Sequence, residues 1–326
     1  MIIQKIKTTK LYYILSIIKA GIYYYYYYLR NKKVSYFDYN QLSKSYPVFS
    51  LSRNPGVIGN KCYGNLWAVK NGLSSKFNKN CIIEHGLYFG EYVLLDDLKL
   101  KKPEVIYTYG NYRKNVLENC DHEFLKGVRI EAIGPYINYA SNFSNSKVLE
   151  KIKKKYGKIL LVFPTHASPE VDLNYKENDF FEKIGEVAKD YDKVFVSLFW
   201  LDIIKGKHLL YEKLGYKVVT AGSRNDPRFL NRLKDLIEIS TMTMSNDIGT
   251  HIGYCISLNK PHYYFYQKIE TKIVQPVFCE DIDSNRKVLI EKERTMFSEI
   301  FYSKNPMITD DQMKLVEHYW GKNIYI

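Results

Sequence analysis

Signatures of several common enzyme classes are missing from this sequence of 326 residues. It contains no GxGxxG loop, no Walker loop and no GxSxG turn, which disfavours dinucleotide-dependent redox enzymes, ATPases and serine hydrolases. The five cysteines are scattered and never form a CxxC pair, which argues against a disulfide framework and a zinc knuckle and favours a reducing compartment. No Asp-x-Asp pair stands at a strand end in the first half, and we expect no metal or other cofactor.

The composition is instead rich in basic residues and in tyrosine. The formal net charge is +13, and 31 residues are tyrosines. A basic surface attracts anionic lipid headgroups, phosphate ligands or nucleic acid. The aromatic residues stand in apolar stretches and do not interleave with basic residues as in a single-strand groove. We therefore expect a membrane surface or a small phosphate ligand as the partner, and no nucleic acid.

Residues 1–33 form a basic, tyrosine-rich segment. Residues 11–29 are nearly all apolar or tyrosine, yet Lys19 stands in the middle of the run, and Tyr23 to Tyr28 favour the headgroup region over the bilayer centre. We interpret the segment as a helix lying on the cytoplasmic face of the inner membrane. A spanning helix and a soluble first helix packed on the core are the alternatives. No small-residue cleavage site follows, so a removed signal peptide is not expected.

Beyond this segment, short apolar runs alternate with helical patterns. Residues 158–163 read KILLVF, which is typical of a strand buried on both faces of a parallel sheet. Further strands and helices follow to residue 265, including a helix predicted over 201–214 that ends at Gly215. This βα alternation predicts an α/β protein with doubly wound parallel sheets. A linker rich in Ser and Asn at 140–146 divides an acceptor-side domain (34–145) from a nucleotide-binding domain (146–300). We expect a C-terminal helical segment (301–326) to pack back on the first domain.

The strongest functional signal is the stretch SNDIGTHIGY at 245–254, which follows a predicted strand and opens a predicted helix. Polar side chains at the start of such a helix can cap it, and a glycine lets a ligand approach the backbone. The free N–H groups and the helix dipole suit a phosphate. From this stretch we predict a phosphate-bearing ligand bound by Ser245, Asn246, Asp247, Gly249, Thr250 and His251.

Two other predicted strands end in polar loops. The first loop, PTHASP, offers two hydroxyls at Thr165 and Ser168 for phosphate oxygens and a histidine, His166, that can neutralise a leaving group. The second, AGSRNDP, offers Arg224, whose guanidinium can bind a phosphate or a sugar carboxylate with two hydrogen bonds. A loop histidine and a surface arginine with purely structural roles are the alternatives.

The segment SNDIGTHIGYCISLNKPHYYF at 245–265 resembles the phosphate-binding segment of GT-B glycosyltransferases, and heptosyltransferases carry a comparable strand, turn, helix, Lys-Pro and strand. The PTHASP loop looks like the histidine–proline loop of some sialyl- and Kdo-type transferases. The stretch GSRNDPRFLNRL at 222–233 is similar to bacterial polysaccharide-biosynthesis proteins. The resemblance covers mainly residues 158–266 and implies two Rossmann-like domains facing a cleft, with a nucleotide sugar as donor.

A general base is needed to take the proton of an acceptor hydroxyl in an inverting transfer. IEHGLYFGE at 83–91 places His85 beside Glu84 at a strand end, with Glu91 six residues later. Histidine has the appropriate intrinsic pKa, whereas a glutamate would need help from burial. A His-Gly pair at a similar place occurs in teichoic-acid glycerophosphate transferases. We predict His85 as the base, with Glu84 or Glu91 as alternatives.

The sequence therefore predicts a metal-independent, inverting glycosyltransferase of hexosyl or sialyl/Kdo type, acting in capsule or lipopolysaccharide biosynthesis. Its acceptor would be a lipid-linked or growing glycan at the membrane. A nucleotide-sugar epimerase of the same fold and a non-catalytic membrane-bound scaffold remain the alternatives.

Overall fold

The computed structural model describes residues 10–44, 60, 62–84, 86–89, 91, 93, 102–168, 171–273, 284–304 and 306–322. The α-helices within these ranges are α1 (Lys10–Asn31), α2 (Tyr39–Leu42), α3 (Asn65–Leu73), α4 (Asn111–Glu118), α5 (Ser146–Tyr156), α6 (Glu177–Val187), α7 (Trp200–Ile204), α8 (His208–Lys213), α9 (Phe229–Ile239), α10 (Thr250–Ser257), α11 (Ser284–Phe301) and α12 (Asp310–Trp320). The strands are β1 (Cys81–Ile83), β2 (Val105–Thr108), β3 (Arg129–Ala132), β4 (Ile159–Phe163), β5 (Val171–Asn174), β6 (Lys193–Ser197), β7 (Lys217–Val219), β8 (Met242–Ser245), β9 (His262–Tyr264) and β10 (Glu270–Ile273).

The larger sheet has the strand order β7-β6-β4-β8-β9, and every neighbouring pair is parallel. Alternate side chains of β4 enter opposite apolar clusters, with Leu161 on one side and Leu160 and Val162 on the other. A strand between two apolar layers needs apolar residues at every position, which explains the uninterrupted ILLVF run. The predicted α/β class with parallel sheets is confirmed.

Helices cover both faces of this sheet. Leu236 of α9 and Ile252 of α10 join the cluster on one face, whereas Phe180 of α6 and Tyr211 of α8 join the cluster on the other. Each helix thus buries one apolar stripe against the sheet. The sheet is doubly wound, and β4 and β8 are the central neighbours at which the winding direction reverses.

A second parallel sheet has the order β1-β2-β3. Its apolar side chains are also shared between two layers, and the layer that contains Ile83 and Tyr107 is continuous with the cluster on the larger sheet. Helix α12 packs on α4 beside the smaller sheet and on α10 beside the larger one. An added Cβ at Gly253 of α10 would lie 2.3 Å from the Trp320 ring, so only glycine admits this tryptophan.

The N-terminal helix α1 is attached to the larger sheet by a buried arginine. Arg232 of α9 donates to the carbonyl oxygens of Asn31 and Val34, the latter at 3.0 Å, and its Nη1 lies 3.1 Å from Asp226 Oδ2. The Tyr36 carbonyl accepts the N–H of Thr220 at 3.0 Å, next to β7. These contacts hold the end of α1 and the chain after it against the β7 edge.

The exposed side of α1 is apolar. Leu15, Ile18, Ile22, Tyr25 and Leu29 are exposed and alternate in steps of three and four residues, so they lie on one face of the helix. Within the described residues, no helix combines the length and apolarity needed to span a membrane.

Several sequence-based predictions differ from the structure. The helix predicted over 201–214 is divided into α7 and α8, because the chain turns at Gly206, whose φ is +82°. The antiparallel pair β5–β10 and helix α11 were not predicted. Residues 142–144 of the expected linker are fixed, since Asp235 of α9 accepts the N–H groups of Phe143 at 3.0 Å and Ser144 at 2.8 Å.

Replacing Arg232 by methionine should lower the free energy of unfolding by about 3–5 kcal/mol, because Asp226 would remain buried without its cation and two carbonyl groups would lose their donor. Urea denaturation monitored by circular dichroism measures the change. Arg129→Met is the matched control, since its ion pair with Glu131 is largely exposed and should contribute at most about 1 kcal/mol. Equal losses in the two variants would contradict the proposed anchoring role.

Candidate functional site

The loops that follow β4 and β8 meet at the reversal point of the larger sheet. The Thr165 N–H donates to Asn246 Oδ1 at 2.7 Å, and the Thr165 hydroxyl donates to Asp247 Oδ2 at 3.0 Å. In open α/β sheets, ligands bind outside the carboxyl ends of the strands at this type of position. The structure thus brings together three residues that the sequence predicted from two separate motifs.

Asn246 is the centre of this arrangement. Its side chain is fully buried, and its Nδ2 donates to Gln267 Oε1 at 2.9 Å in the loop after β9. Its amide therefore connects the loops that follow β4, β8 and β9. Ser245 is also buried, and its hydroxyl donates to the Asp247 carbonyl at 2.8 Å and lies 3.0 Å from His262 Nε2. Both side chains have their partners inside the protein.

Asp247 is half-buried and faces the loop after β4. Its Oδ1 accepts the N–H of Ile248 at 2.8 Å, while Oδ2 accepts the Thr165 hydroxyl. Burial raises the pKa of this carboxyl above its usual value, and the charge of Arg294 on α11 acts in the opposite direction. Arg294 thus places a cation near the same loop.

Helix α10 begins at Thr250, three residues after the predicted start. Gly249 occupies the N-cap position, and no side chain caps the helix. The expectation that Ser245, Asn246 and Asp247 would cap it is wrong, because their side chains bind Thr165, Ile248, Gln267 and His262 instead. Gly249, Thr250 and His251 are each partly exposed. The first turn of α10 therefore presents backbone N–H groups and the positive end of the helix dipole without a side-chain acceptor.

Two histidines form the wall behind this turn. The His251 ring lies 5.0 Å from the Phe163 ring and 5.5 Å from the His262 ring, and its Nε2 is buried without a hydrogen-bond partner. His262 Nδ1 lies 2.8 Å from Thr243 Oγ1. Burial lowers the pKa of His251 to about 3 and that of His262 well below its usual value. Both rings are therefore neutral at physiological pH.

His166 lies on the exposed side of the loop after β4. Its ring stacks on Phe199 with centroids 4.1 Å apart, and its Nδ1 lies 3.2 Å from the Ala167 carbonyl oxygen. Neighbouring protein groups displace water from the ring and lower the pKa of His166. The neutral tautomer that donates from Nδ1 to Ala167 leaves Nε2 as an acceptor. Ser168 follows in the same loop and is half-buried.

The smaller sheet contributes a polar cluster at the carboxyl ends of β1 and β2. Both carboxylate oxygens of Glu84 are occupied, since Oε1 accepts from Arg113 Nη2 at 2.6 Å and Oε2 accepts from Arg113 Nε at 2.9 Å and from the Thr108 hydroxyl at 2.8 Å. The Arg113 guanidinium also lies over the Tyr88 ring at 4.2 Å. For Glu84 to act as a base, its carboxylate would first have to break its hydrogen bonds to Arg113 and Thr108.

His85, the predicted base, lies outside the described residues, and Glu91 is exposed with a φ of +58°.

A pair of tyrosines joins the two sheets beside α10. Tyr109, which follows β2, is buried, and its hydroxyl lies 3.1 Å from the hydroxyl of Tyr254 on α10. Tyr109 also forms a side-chain hydrogen bond with Thr250 in the first turn of α10. The carboxyl end of β2 therefore lies next to the amino end of α10, so the cluster around Glu84 and residues 245–247 belong to neighbouring regions of the protein.

Arg224 lies farther along the same edge of the larger sheet. It follows β7, which is separated from β4 by β6, and its carbonyl accepts the Tyr63 N–H at 2.6 Å. The structure therefore does not place Arg224 in the contact between the β4 and β8 loops. Within the described residues, no group of three His, Cys, Asp or Glu side chains could hold a metal ion. Metal independence remains a prediction.

Some residues near the site were not predicted from the sequence. Asp202 of α7 is buried, accepts the N–H of Ala167 and has its pKa raised to about 6 by burial. Through this hydrogen bond to Ala167, Asp202 stabilises the loop that contains His166. An isolated aspartate in an apolar helix gives no sequence signal, and neither do Tyr109 and Tyr254, whose contact depends on the relative position of two sheets.

No protein-family profile matches the sequence, and no curated protein matches it. Similar solved structures include a variant of the wall teichoic acid polymerase TagF, which is 12% identical over 70% of this chain and 56% of that chain, with a TM-score of 0.39. Anabaena HepE in complex with UDP is 10% identical over 79% of this chain and 72% of that chain, with a TM-score of 0.34. The UDP-GlcNAc 2-epimerase of Neisseria meningitidis bound to UDP-GlcNAc is 12% identical over 82% and 81% of the two chains, with a TM-score of 0.36.

The match thus spans just over half the length of the TagF chain. TM-scores below 0.5 describe a distant likeness, and no functional role follows from it.

The neutral histidines make stability depend on pH. Because the folded protein disfavours the protonated forms of His251 and His262, the unfolded chain binds more protons as the pH falls below about 6.5. The free energy of unfolding should therefore decrease from pH 6.5 towards pH 4, and His251→Gln should reduce the slope by up to about 1.4 kcal/mol per pH unit. Chemical denaturation at a series of pH values measures how the free energy of unfolding depends on pH. The control His122→Gln changes a histidine in a turn beside the smaller sheet, and an identical slope for His251→Gln and the wild type would overturn this account.

Proposed function

We propose that this protein is a glycosyltransferase of the GT-B type that transfers a sugar from a nucleotide donor to a lipid-linked or growing surface glycan. The observation that carries the proposal is the uncapped first turn of α10 at the reversal point of the larger sheet, beside the Thr165–Asp247 contact. The diphosphate of the donor would bind the N–H groups of this turn, with Gly249 allowing close approach and the Thr250 hydroxyl adding a donor.

The positive end of α10 would stabilise the charge that develops on the departing phosphate. His166 would present Nε2 at the same loop edge, and Ser168 and Thr165 would bind phosphate oxygens. Arg294 would offset the negative charge of Asp247 near the bound diphosphate. This arrangement needs no metal ion, because the helix dipole and side-chain donors supply the electrostatic stabilisation.

The acceptor would bind on the side of the smaller sheet, in a cleft between the two α/β domains. An acceptor hydroxyl would attack the anomeric carbon and lose its proton to His85, while the bond from that carbon to the phosphate oxygen breaks and nucleoside diphosphate leaves. Tyr109 supports this arrangement, since it places the carboxyl end of β2 beside α10. The inverting outcome follows from direct displacement by the hydroxyl.

The apolar face of α1 supports a membrane location for this reaction. Residues 1–37 contain seven Lys and Arg residues and no acidic residue, and the described part of α1 exposes an apolar stripe. A helix of this kind binds at the interface of an anionic bilayer, here the cytoplasmic face of the inner membrane. A glycolipid acceptor would be available at the same surface.

A charge reversal in the first turn of α10 tests the nucleotide site. UDP, GDP, ADP, CDP and CMP are each added to the wild-type protein, and at least one should raise the melting temperature. Thr250→Glu should abolish that shift, because its carboxylate would repel the phosphate, while the helix itself is not weakened by an acid at this end. Thr250→Gln has nearly the same size without the charge and should retain much of the shift.

Equal nucleotide-induced shifts in the Glu and Gln variants would contradict the site. A wild-type protein that responds to none of the nucleotides would favour the non-catalytic scaffold. Incubating a responsive protein with the corresponding nucleotide sugar, without acceptor, completes the test, since an isomerised sugar would favour an epimerase.

A further inference from the structure

A second exposed apolar patch lies on α7, α8 and the turn after α8. It consists of Ile204, Leu209, Leu210 and Leu214, whose relative exposures are 49%, 53%, 39% and 46%. Single exposed leucines are common, but these four large aliphatic side chains lie within eleven residues, and none of them belongs to a buried cluster. We call these four residues the α7–α8 patch.

The opposite side of the same segment is packed in the core, so the patch is exposed on helices that are otherwise well packed. Ile203 and Tyr211 are buried in the cluster on the larger sheet, while the α7–α8 patch faces outward. The turn at Gly206 separates the two helices, so each helix has one buried side and one apolar exposed side. A helix that is apolar on its outer side as well has a further apolar surface to cover.

Basic residues accompany the patch. Lys205, Lys207, Lys213 and Lys217 lie in the same segment, whose acidic residues are Asp202 and Glu212. Asp202 is buried, and Glu212 accepts a hydrogen bond from the Tyr39 hydroxyl at 2.6 Å. Lys205 and Lys207 form ion pairs with Asp172 and Glu177. The excess positive charge beside the patch therefore comes from Lys213 and the half-buried Lys217 in this segment, and from the exposed Lys32 and Lys33 that follow α1.

The patch also adjoins the place where α1 is attached. Helix α2 follows α1 directly and packs on α7, and the Tyr39 ring of α2 lies 5.3 Å from the His208 ring of α8. Arg232 holds the end of α1, and the exposed Lys32 and Lys33 lie between α1 and α2. The α7–α8 patch and the apolar face of α1 therefore flank one fixed segment, residues 31–42.

We infer that the α7–α8 patch is a second contact with an anionic lipid bilayer, which would restrict how the protein lies on the membrane when α1 is bound. This inference rests on the membrane role of α1 in the proposed function. The leucines of the patch would enter the boundary between headgroups and acyl chains, and the neighbouring Lys213, Lys32 and Lys33 would bind lipid phosphates. The charge favours lipid over a second copy of the chain, because the chain carries a formal net charge of +13 and two copies repel each other.

Vesicle sedimentation with the full chain tests the inference. The double variant Leu209→Ser/Leu210→Ser should partition about tenfold more weakly than the wild type onto vesicles of phosphatidylglycerol and phosphatidylcholine. The matched control is Val288→Ser/Leu289→Ser, which removes two exposed apolar side chains from α11 and should bind as the wild type does. The variant Ile18→Ser/Ile22→Ser on α1 gives the loss expected for the first contact.

Unchanged partitioning of the Leu209/Leu210 variant, or an equal loss in the α11 control, would overturn the inference. So would light scattering that shows a wild-type dimer converted to a monomer by the Leu209/Leu210 substitutions, since the patch would then join two copies. The nucleotide-induced rise in melting temperature is measured on the same variants and should not change. A failure of nucleotide binding in the wild type would reject the proposed transferase and leave the vesicle result intact.

Discussion

The contact between the β4 and β8 loops is the constraint on which the candidate site depends. Asn246 uses its carbonyl oxygen for the Thr165 N–H and its amide nitrogen for Gln267, so one buried side chain fixes three loops at the carboxyl edge of the larger sheet. Because the side chains that precede α10 are engaged in these contacts, none is left to cap the helix. The uncapped first turn of α10, at which we propose that the phosphate binds, is thus a consequence of how these loops are held together.

The rest of the protein holds this edge in relation to the smaller sheet and to α1. Tyr109 and Tyr254 connect β2 to α10 through their hydroxyl groups, and α12 packs against both α4 and α10. Arg232 and Asp235, both on α9, fix the segments that enter the larger sheet from α1 and from the smaller sheet. One helix therefore anchors the proposed membrane element and the connection between the sheets, which would couple the position of the membrane surface to that of the site.

The sequence allowed the larger sheet to be predicted well, because a strand with cores on both faces must be apolar at every position, as in ILLVF. It also located the loops after β4 and β8, since polar residues follow such strands only where a loop begins. The start of α10 was misplaced because Ser245, Asn246 and Asp247 are good capping residues whose side chains bind other loops. The division between α7 and α8 was missed, although Gly206 marks it. Tyr109 and Tyr254 are 145 positions apart in the sequence, and Glu84 and Arg113 are 29 positions apart. No local sequence pattern predicts contacts over such separations.

The most direct test of the central claim is the response of individual backbone amides to a nucleotide. In a titration of ¹⁵N-labelled protein with the nucleoside diphosphate that stabilises it most, the amide resonances of Gly249, Thr250 and His251 should shift strongly, because these N–H groups donate hydrogen bonds to phosphate oxygens. Amides at the start of α9, a helix end buried against the Arg232 anchor, should change little. If saturating nucleotide leaves the three amides of the α10 turn unmoved, the phosphate does not bind there and the proposed mechanism is wrong.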